Sequence, residues 1–168
     1  MIRLPRKMRH SISAVWLLAV VGTPAGAAPI DPPDARVLLS TAASGVQIYS
    51  CEYDANHTLG WVFRSPRATL FDAAGAAVIE HSAGPSWEAR DGSRIVGHVL
   101  AQTPSETPNG VPQLLLGTRS TGVKGLLSEV RYVQRTMTAG GAAPTAPCTV
   151  EHATGSSPYI ATYTFFKQ

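Results

Sequence analysis

The chain has 168 residues, with 14 Lys and Arg against 11 Asp and Glu, 44% hydrophobic and 15% charged residues. So little charge beside so much apolar content excludes an extended acidic or basic disordered chain and leaves one globular domain behind a short processing segment. Composition alone names no substrate.

The first segment reads as an export signal. Arg3, Arg6, Lys7 and Arg9 precede an apolar run from Ile12 to Val21, followed by Gly22, Thr23, Pro24 and the small triplet Ala25-Gly26-Ala27. A basic start, an apolar stretch of about ten residues and an A-x-A site form a secretory signal peptide, and cleavage is expected after Ala27. The boundaries are a signal peptide over 1–27, a Pro-rich leader over 28–37 and a single β domain over 38–168. Removing the signal leaves ten scattered basic residues against eleven acidic ones, so the basic precursor gives a nearly neutral mature chain. A nucleic-acid partner needs a concentrated basic face to neutralise phosphates, and none is written here. The apolar run is about half of the roughly 20 residues a spanning helix needs, so no membrane span is expected. The product is expected to be secreted or periplasmic.

Export decides how the cysteines read. Cys51 and Cys148 both survive cleavage, and a single pair in an oxidising compartment is expected to form a disulfide. The pair closes a loop of 97 positions. In the chain-entropy account that stabilises the fold by roughly 4 to 5 kcal/mol. A redox or nucleophilic thiol would call for a CxxC spacing or a nearby base.

After the leader, Gly45 to Tyr53 alternates Val46, Ile48 and Ser50 with Gln47, Tyr49 and Cys51, as a strand does. Gly60 to Phe63 and Arg67 to Phe71 read as two short strands broken at Ser65-Pro66. Asp72 to Gly75 is a turn into a strand over Ala76 to His81, forming a hairpin. A second hairpin joins Glu88-Ala89 to Arg94–Gln102 through Arg90-Asp91-Gly92-Ser93. Thr103 to Pro112, with three prolines, is a surface loop. Gln113 to Thr118 is a compact strand, Thr121 to Gly125 a loop, and Leu126 to Thr138 one long strand favoured by its β-branched residues. Ala139 to Pro147 is irregular. Tyr159 to Phe166 closes the chain as a strand apolar on both faces, which suits a central position. Eight or nine short strands without an amphipathic helix predict an all-β, single-domain antiparallel β-sandwich or barrel with long Pro- and Gly-rich loops. Missing strand-helix alternation and a missing GxGxxG exclude a dinucleotide-binding fold, and no cofactor is expected.

The densest polar cluster runs from Glu80 to Ser93. His81, Glu88 and Asp91 supply an imidazole and carboxylates for general acid-base work, and Trp87 an aromatic platform. The same stretch equally reads as two turns around a core tryptophan. Metal ligation would fall to His57, His81, His98 and His152, but none forms an HxH, HExxH or HxxxH pair, and no metal is expected. Only His81 and His98, meeting across strands, stay open. No GxSxG elbow marks a serine nucleophile. Asn56-His57-Thr58 has the form of a glycosylation sequon.

Gly45-Val46-Gln47-Ile48-Tyr49-Ser50-Cys51, Trp61, the His81 to Ser93 block, Pro112-Gln113-Leu114-Leu115-Leu116, Val130 to Arg135, Gly140-Gly141 with Cys148, and Tyr159 to Phe166 stand in an order that resembles the DUF3455 family, exported bacterial and fungal proteins of unknown function. The resemblance covers Leu38 to Phe166 and departs at Gln113, where the family usually has Trp. It implies export but no reaction and no catalytic residues.

Two functions from different classes follow. The favoured one is a non-catalytic binding domain for a carbohydrate, an envelope component or a small apolar ligand, using a surface around Trp87, Trp61 and Tyr49. The alternative is a secreted hydrolase using His81 with Glu88 or Asp91. Oligomeric state is not legible.

Overall fold

A computed structural model describes residues 30–168, so the expected signal peptide lies outside the described residues. Eight strands account for the regular structure: β1 Arg36–Tyr53, β2 Leu59–Phe71, β3 Ala77–Ser82, β4 Ser86–Ala89, β5 Arg94–Thr103, β6 Gln113–Ser120, β7 Tyr132–Gly140 and β8 Thr154–Lys167. Each pairs antiparallel with the next, and β8 returns to β1 from Arg36↔Lys167 to Ser50↔Thr154, closing a barrel. Closure removes both sheet edges, and it makes β8 central, as its two apolar faces predicted.

The strand period fixes what lies inside. Tyr159, Tyr163 and Phe165 of β8 are at most 2% exposed, whereas Ile160 between them is 57% exposed. Directly paired residues share a face. In β5 it is therefore the phase of Ile95, Gly97 and Val99 that looks inward, with Ile95 opposite Trp87 and Val99 opposite Leu116. Leu70, Ile79, Ile95, Val133 and Phe165 form the centre of the core.

Two sequence expectations need correction. Gly60–Phe63 and Arg67–Phe71 are one strand, because β2 runs through Pro66 opposite Gln47, with a bulge beside it. The pairing of β2 with β3 stops at Ala68↔His81. On that side Pro66 has no partner strand, so a residue lacking an N–H is admitted as it is on an edge. The expected long strand over Leu126–Thr138 is shorter and displaced, beginning only at Tyr132. Leu126 to Arg131 instead turns under the barrel, with Ser128 N donating to Gly125 O and Val130 N to Leu127 O. Leu127 and Val130 are fully buried there. Their apolar pattern suits a plug as well as a strand, and only contacts distant in sequence decide between them.

An up-and-down barrel collects alternate turns at opposite ends. The β2–β3 and β4–β5 turns and the plug lie at one end. The β1–β2 turn, the β3–β4 turn, the loop before β6 and the connection before β8 lie at the other. The Cys51–Cys148 disulfide is at this second end, with Cα atoms 5.5 Å apart. It ties the end of β1 to the β7–β8 connection, while the opening and closing strands are already joined by their ladder.

Candidate functional site

The second end is built low on one side. β3 and β4 have six and four residues, against thirteen in β2 and ten in β5. Pairing ends at Ala68↔His81 on one flank and at Ser86↔Val96 on the other, so β2 and β5 stand above their shared hairpin and leave a notch. A cavity of about 490 Å³ lies at this end, flanked by Phe63, Pro66 and Val99, with Gly84 and Pro85 as its lip. That volume is within the range of small-molecule sites. Phe63 and Val99 are each 51% exposed, which places apolar side chains at the opening.

Inside, the walls are aromatic and aliphatic: Tyr49, Trp87, Leu114, Leu116 and Tyr163. Trp87 stacks flat on His81, with ring centroids 4.6 Å apart and planes 6° from parallel. Gly97 makes room for it, since a Cβ there would approach Trp87 Cζ3 to 3.0 Å. Tyr49 meets Phe63 edge-on at 5.8 Å and donates its hydroxyl to Gly141 O. Gly141 has φ +85°, and a Cβ there would press on Gln47 Cγ at 3.0 Å. A side chain at that position would therefore be both strained and crowded.

Polar groups are few and each is specific. His81 Nδ1 lies 2.9 Å from Ser86 O. A carbonyl can only accept, so Nδ1 carries the proton and Nε2 is the unprotonated nitrogen. Burial lowers the His81 pKa to about 4, outweighing the Ser86 bond, and Arg135 lowers it further. The imidazole is neutral at neutral pH. Burial also raises the Tyr49 hydroxyl, with Arg135 opposing it. Tyr159 and Tyr163 share a hydroxyl contact of 3.3 Å. Burial raises Tyr159 strongly, and Tyr163 adds to that.

Gln47 Nε2 and Trp87 Nε1 are buried and have no hydrogen-bond partner. Arg135 is 9% exposed, lines the cavity and donates through Nε and Nη2 to one acceptor, Pro112 O, at 3.1 and 2.8 Å. Sequence reasoning missed Gln47 and Arg135 as site residues. The available signal is phase: Gln47 shares the side of Tyr49 and Cys51, and Arg135 that of Val133, so both sit in the inward, apolar register of their strands.

Of the binding residues expected from sequence, Trp87 and Tyr49 come together in this cavity, as interior walls rather than a surface. Trp61 lies elsewhere. Its Nε1 donates to Ala146 O at 2.8 Å and its ring covers Gly155, so it pins the β7–β8 connection beside the disulfide. The three acid-base candidates do not converge. His81 faces inward, Glu88 is exposed on the opposite face of the wall opposite Glu80, and Asp91 is in the turn at the other end. Asp91 accepts from Ser93 Oγ at 2.6 Å, Ser93 N at 2.9 Å and Leu126 N at 2.7 Å. Those bonds, Ser93 first, hold its carboxyl below the usual range.

Nor do His81 and His98 meet, because His98 is exposed in the outward phase of β5. Among the described residues one group of ligating types gathers, Glu52, Glu151 and His152, with ligand atoms within 4.8 Å of one another. Glu52 is already engaged by Ser50 and Arg64, whose hydrogen bonds lower its pKa. No helix among the described residues is long and apolar enough to cross a membrane.

A family model described as a protein of unknown function (DUF3455) matches residues 32–167. No curated protein and no solved structure matches the chain.

Proposed function

The chain belongs to the DUF3455 family, and we propose that it is an exported, non-catalytic barrel that takes a small, mainly apolar ligand into its open end. One observation carries this reading: a cavity of about 490 Å³, walled by Tyr49, Trp87, Leu116 and Tyr163, opens between the exposed side chains of Phe63 and Val99. Eight strands enclose an interior just wide enough either to be filled by side chains or to hold one small ligand. Here the plugged end follows the first course and the notched end the second. Among the ligand classes the sequence left open, the apolar one fits best, because the lining is mainly aromatic, aliphatic and proline side chains, with few polar groups to meet the hydroxyls of a carbohydrate. The Cys51–Cys148 bridge fits a secreted or periplasmic setting.

The uncharged fluorophore N-phenyl-1-naphthylamine tests the reading directly. Saturable one-to-one binding is expected, with strong loss in Val99→Trp, which fills the opening at a half-exposed position and leaves the circular dichroism spectrum unchanged. Absence of saturable binding, or undiminished binding by folded Val99→Trp, would remove the cavity from the function.

A further inference from the structure

We propose that the ligand taken by this barrel is an anionic amphiphile, whose carboxylate or similar oxyanion head is received by Arg135 while its apolar body lies against the aromatic walls; this rests on the cavity being a ligand site. The charges in the cavity lining have one sign. Its lining contains two arginines, Arg64 and Arg135, and no Asp or Glu. Arg64 is spent in an ion pair with Glu52 at the rim. Arg135 has no carboxylate within ion-pair distance among the described residues, although it is 9% exposed.

A buried, uncompensated guanidinium is costly, and structures keep one only where something else answers the charge. Pro112 O accepts from Nε and from one hydrogen of Nη2. By the fixed shape of the group, the remaining hydrogens on Nη1 and Nη2 form its end-on fork, which matches the two oxygens of a carboxylate. Two more donors without partners lie just behind the lining, Gln47 Nε2 and Trp87 Nε1, both closed to water, so a head group at Arg135 reaches them through a turn of each side chain. Both sealed polar atoms without a partner here are donors, and an anion accepts from donors. With His81 neutral, Arg135 is the unpaired charge in the lining, and no carboxylate there faces the head group.

Matched competitors separate this inference from the reading beneath it. 2-Naphthoate and 2-naphthalenemethanol share an apolar body and differ in charge. Each is used to displace N-phenyl-1-naphthylamine from the wild-type protein, Arg135→Gln and Trp87→Phe. Wild type is expected to prefer the carboxylate by about tenfold to a hundredfold, the scale of hydrogen bonds to charged groups. Arg135→Gln should bring the two competitors within about threefold of each other by losing naphthoate alone. Trp87→Phe keeps an aromatic side chain, smaller than the indole, and removes the donor, so it should weaken naphthoate several-fold more than the alcohol.

Fluorophore binding with no charge preference in wild type, or a preference surviving in Arg135→Gln, would overturn the anion inference and leave the apolar site standing. Failure of the fluorophore itself would remove both. Should Arg135→Gln not fold, the wild-type comparison and Trp87→Phe still decide the matter.

Discussion

At the end of the barrel holding the β2–β3 and β4–β5 turns, no buried side-chain polar atom among the described residues lacks a partner. Asp91 accepts three hydrogen bonds, and Ser93 Oγ in turn receives Leu127 N at 3.1 Å, so the plug of Leu127 and Val130 is held under the core by a satisfied network. At the notched end the count does not close. Gln47 Nε2 and Trp87 Nε1 have no partner, and the Arg135 guanidinium has a single acceptor, Pro112 O, beside a cavity. What separates a structural polar residue from one kept for a ligand is whether its hydrogen-bonding capacity is already spent.

The largest expected effect tests whether the disulfide belongs to the whole fold or to the notched end alone. Replacing both Cys51 and Cys148 by Ser should lower the free energy of unfolding by roughly 4 to 5 kcal/mol in denaturant titrations, because the bridge restrains the unfolded chain over 97 positions. Ligand affinity at low temperature should change little. A loss below about 1 kcal/mol accompanied by a collapse in affinity would make the bridge a local clamp on the rim instead.

At the plugged end, Leu127→Ala is expected to cost about 3 to 4 kcal/mol, from lost burial plus the cavity left beneath the core. Leu127 is fully buried and touches none of the ligand cavity, so fluorophore affinity should be retained. Unfolding midpoints and binding measured on the same preparation check both halves. If affinity fell with stability, the two ends would be coupled and the division drawn between them would fail.

Acid should act on the notched end. His81 has a folded pKa of about 4 against an ordinary 6.5. Between those values the unfolded chain holds a proton that the folded chain refuses, so the contribution is complete above about pH 6.5 and drains away as pH falls towards 4. With His81 3% exposed, its size is on the order of 3 kcal/mol. Denaturant titrations at pH 7 and pH 4.5 should show wild type losing more stability on acidification than His81→Asn. Equal losses in the two proteins would place the acid sensitivity elsewhere.

How much of this was legible in the sequence depended on the range of the interaction. Period two marked β1, β5 and β8, and turn chemistry marked the hairpins at Asp72–Gly75 and Arg90–Ser93, because those signals are local. The pairing of Cys51 with Cys148 followed from export and from there being no other partner. Local signals do not separate a closed barrel from a sandwich, since closure rests on the β1–β8 ladder between opposite ends of the described chain. Leu126–Arg131 reads as strand for a related reason, as Asp91 and Ser93 turn it from 35 and 34 positions away. The cavity was hidden because it depends on missing wall: the shortness of β3 and β4 relative to β2 and β5 emerges only when the four are in register.

The smallest expected effect bears on the hydrolase alternative. Glu88 was paired with His81 on proximity in sequence, but an odd separation along neighbouring antiparallel strands puts them on opposite faces of the wall: Glu88 stands opposite Glu80 and Arg94, whereas His81 stands opposite Trp87. Repulsion from Glu80 and attraction from Arg94 oppose each other in solvent, so Glu88→Gln should shift stability by no more than about 0.5 kcal/mol. It should leave fluorophore and naphthoate affinity unchanged. An altered affinity would mean that the outer face communicates with the cavity through the short β3–β4 hairpin, the thinnest part of the wall. An unchanged one confines recognition to the inward register, where Gln47, Trp87 and Arg135 are.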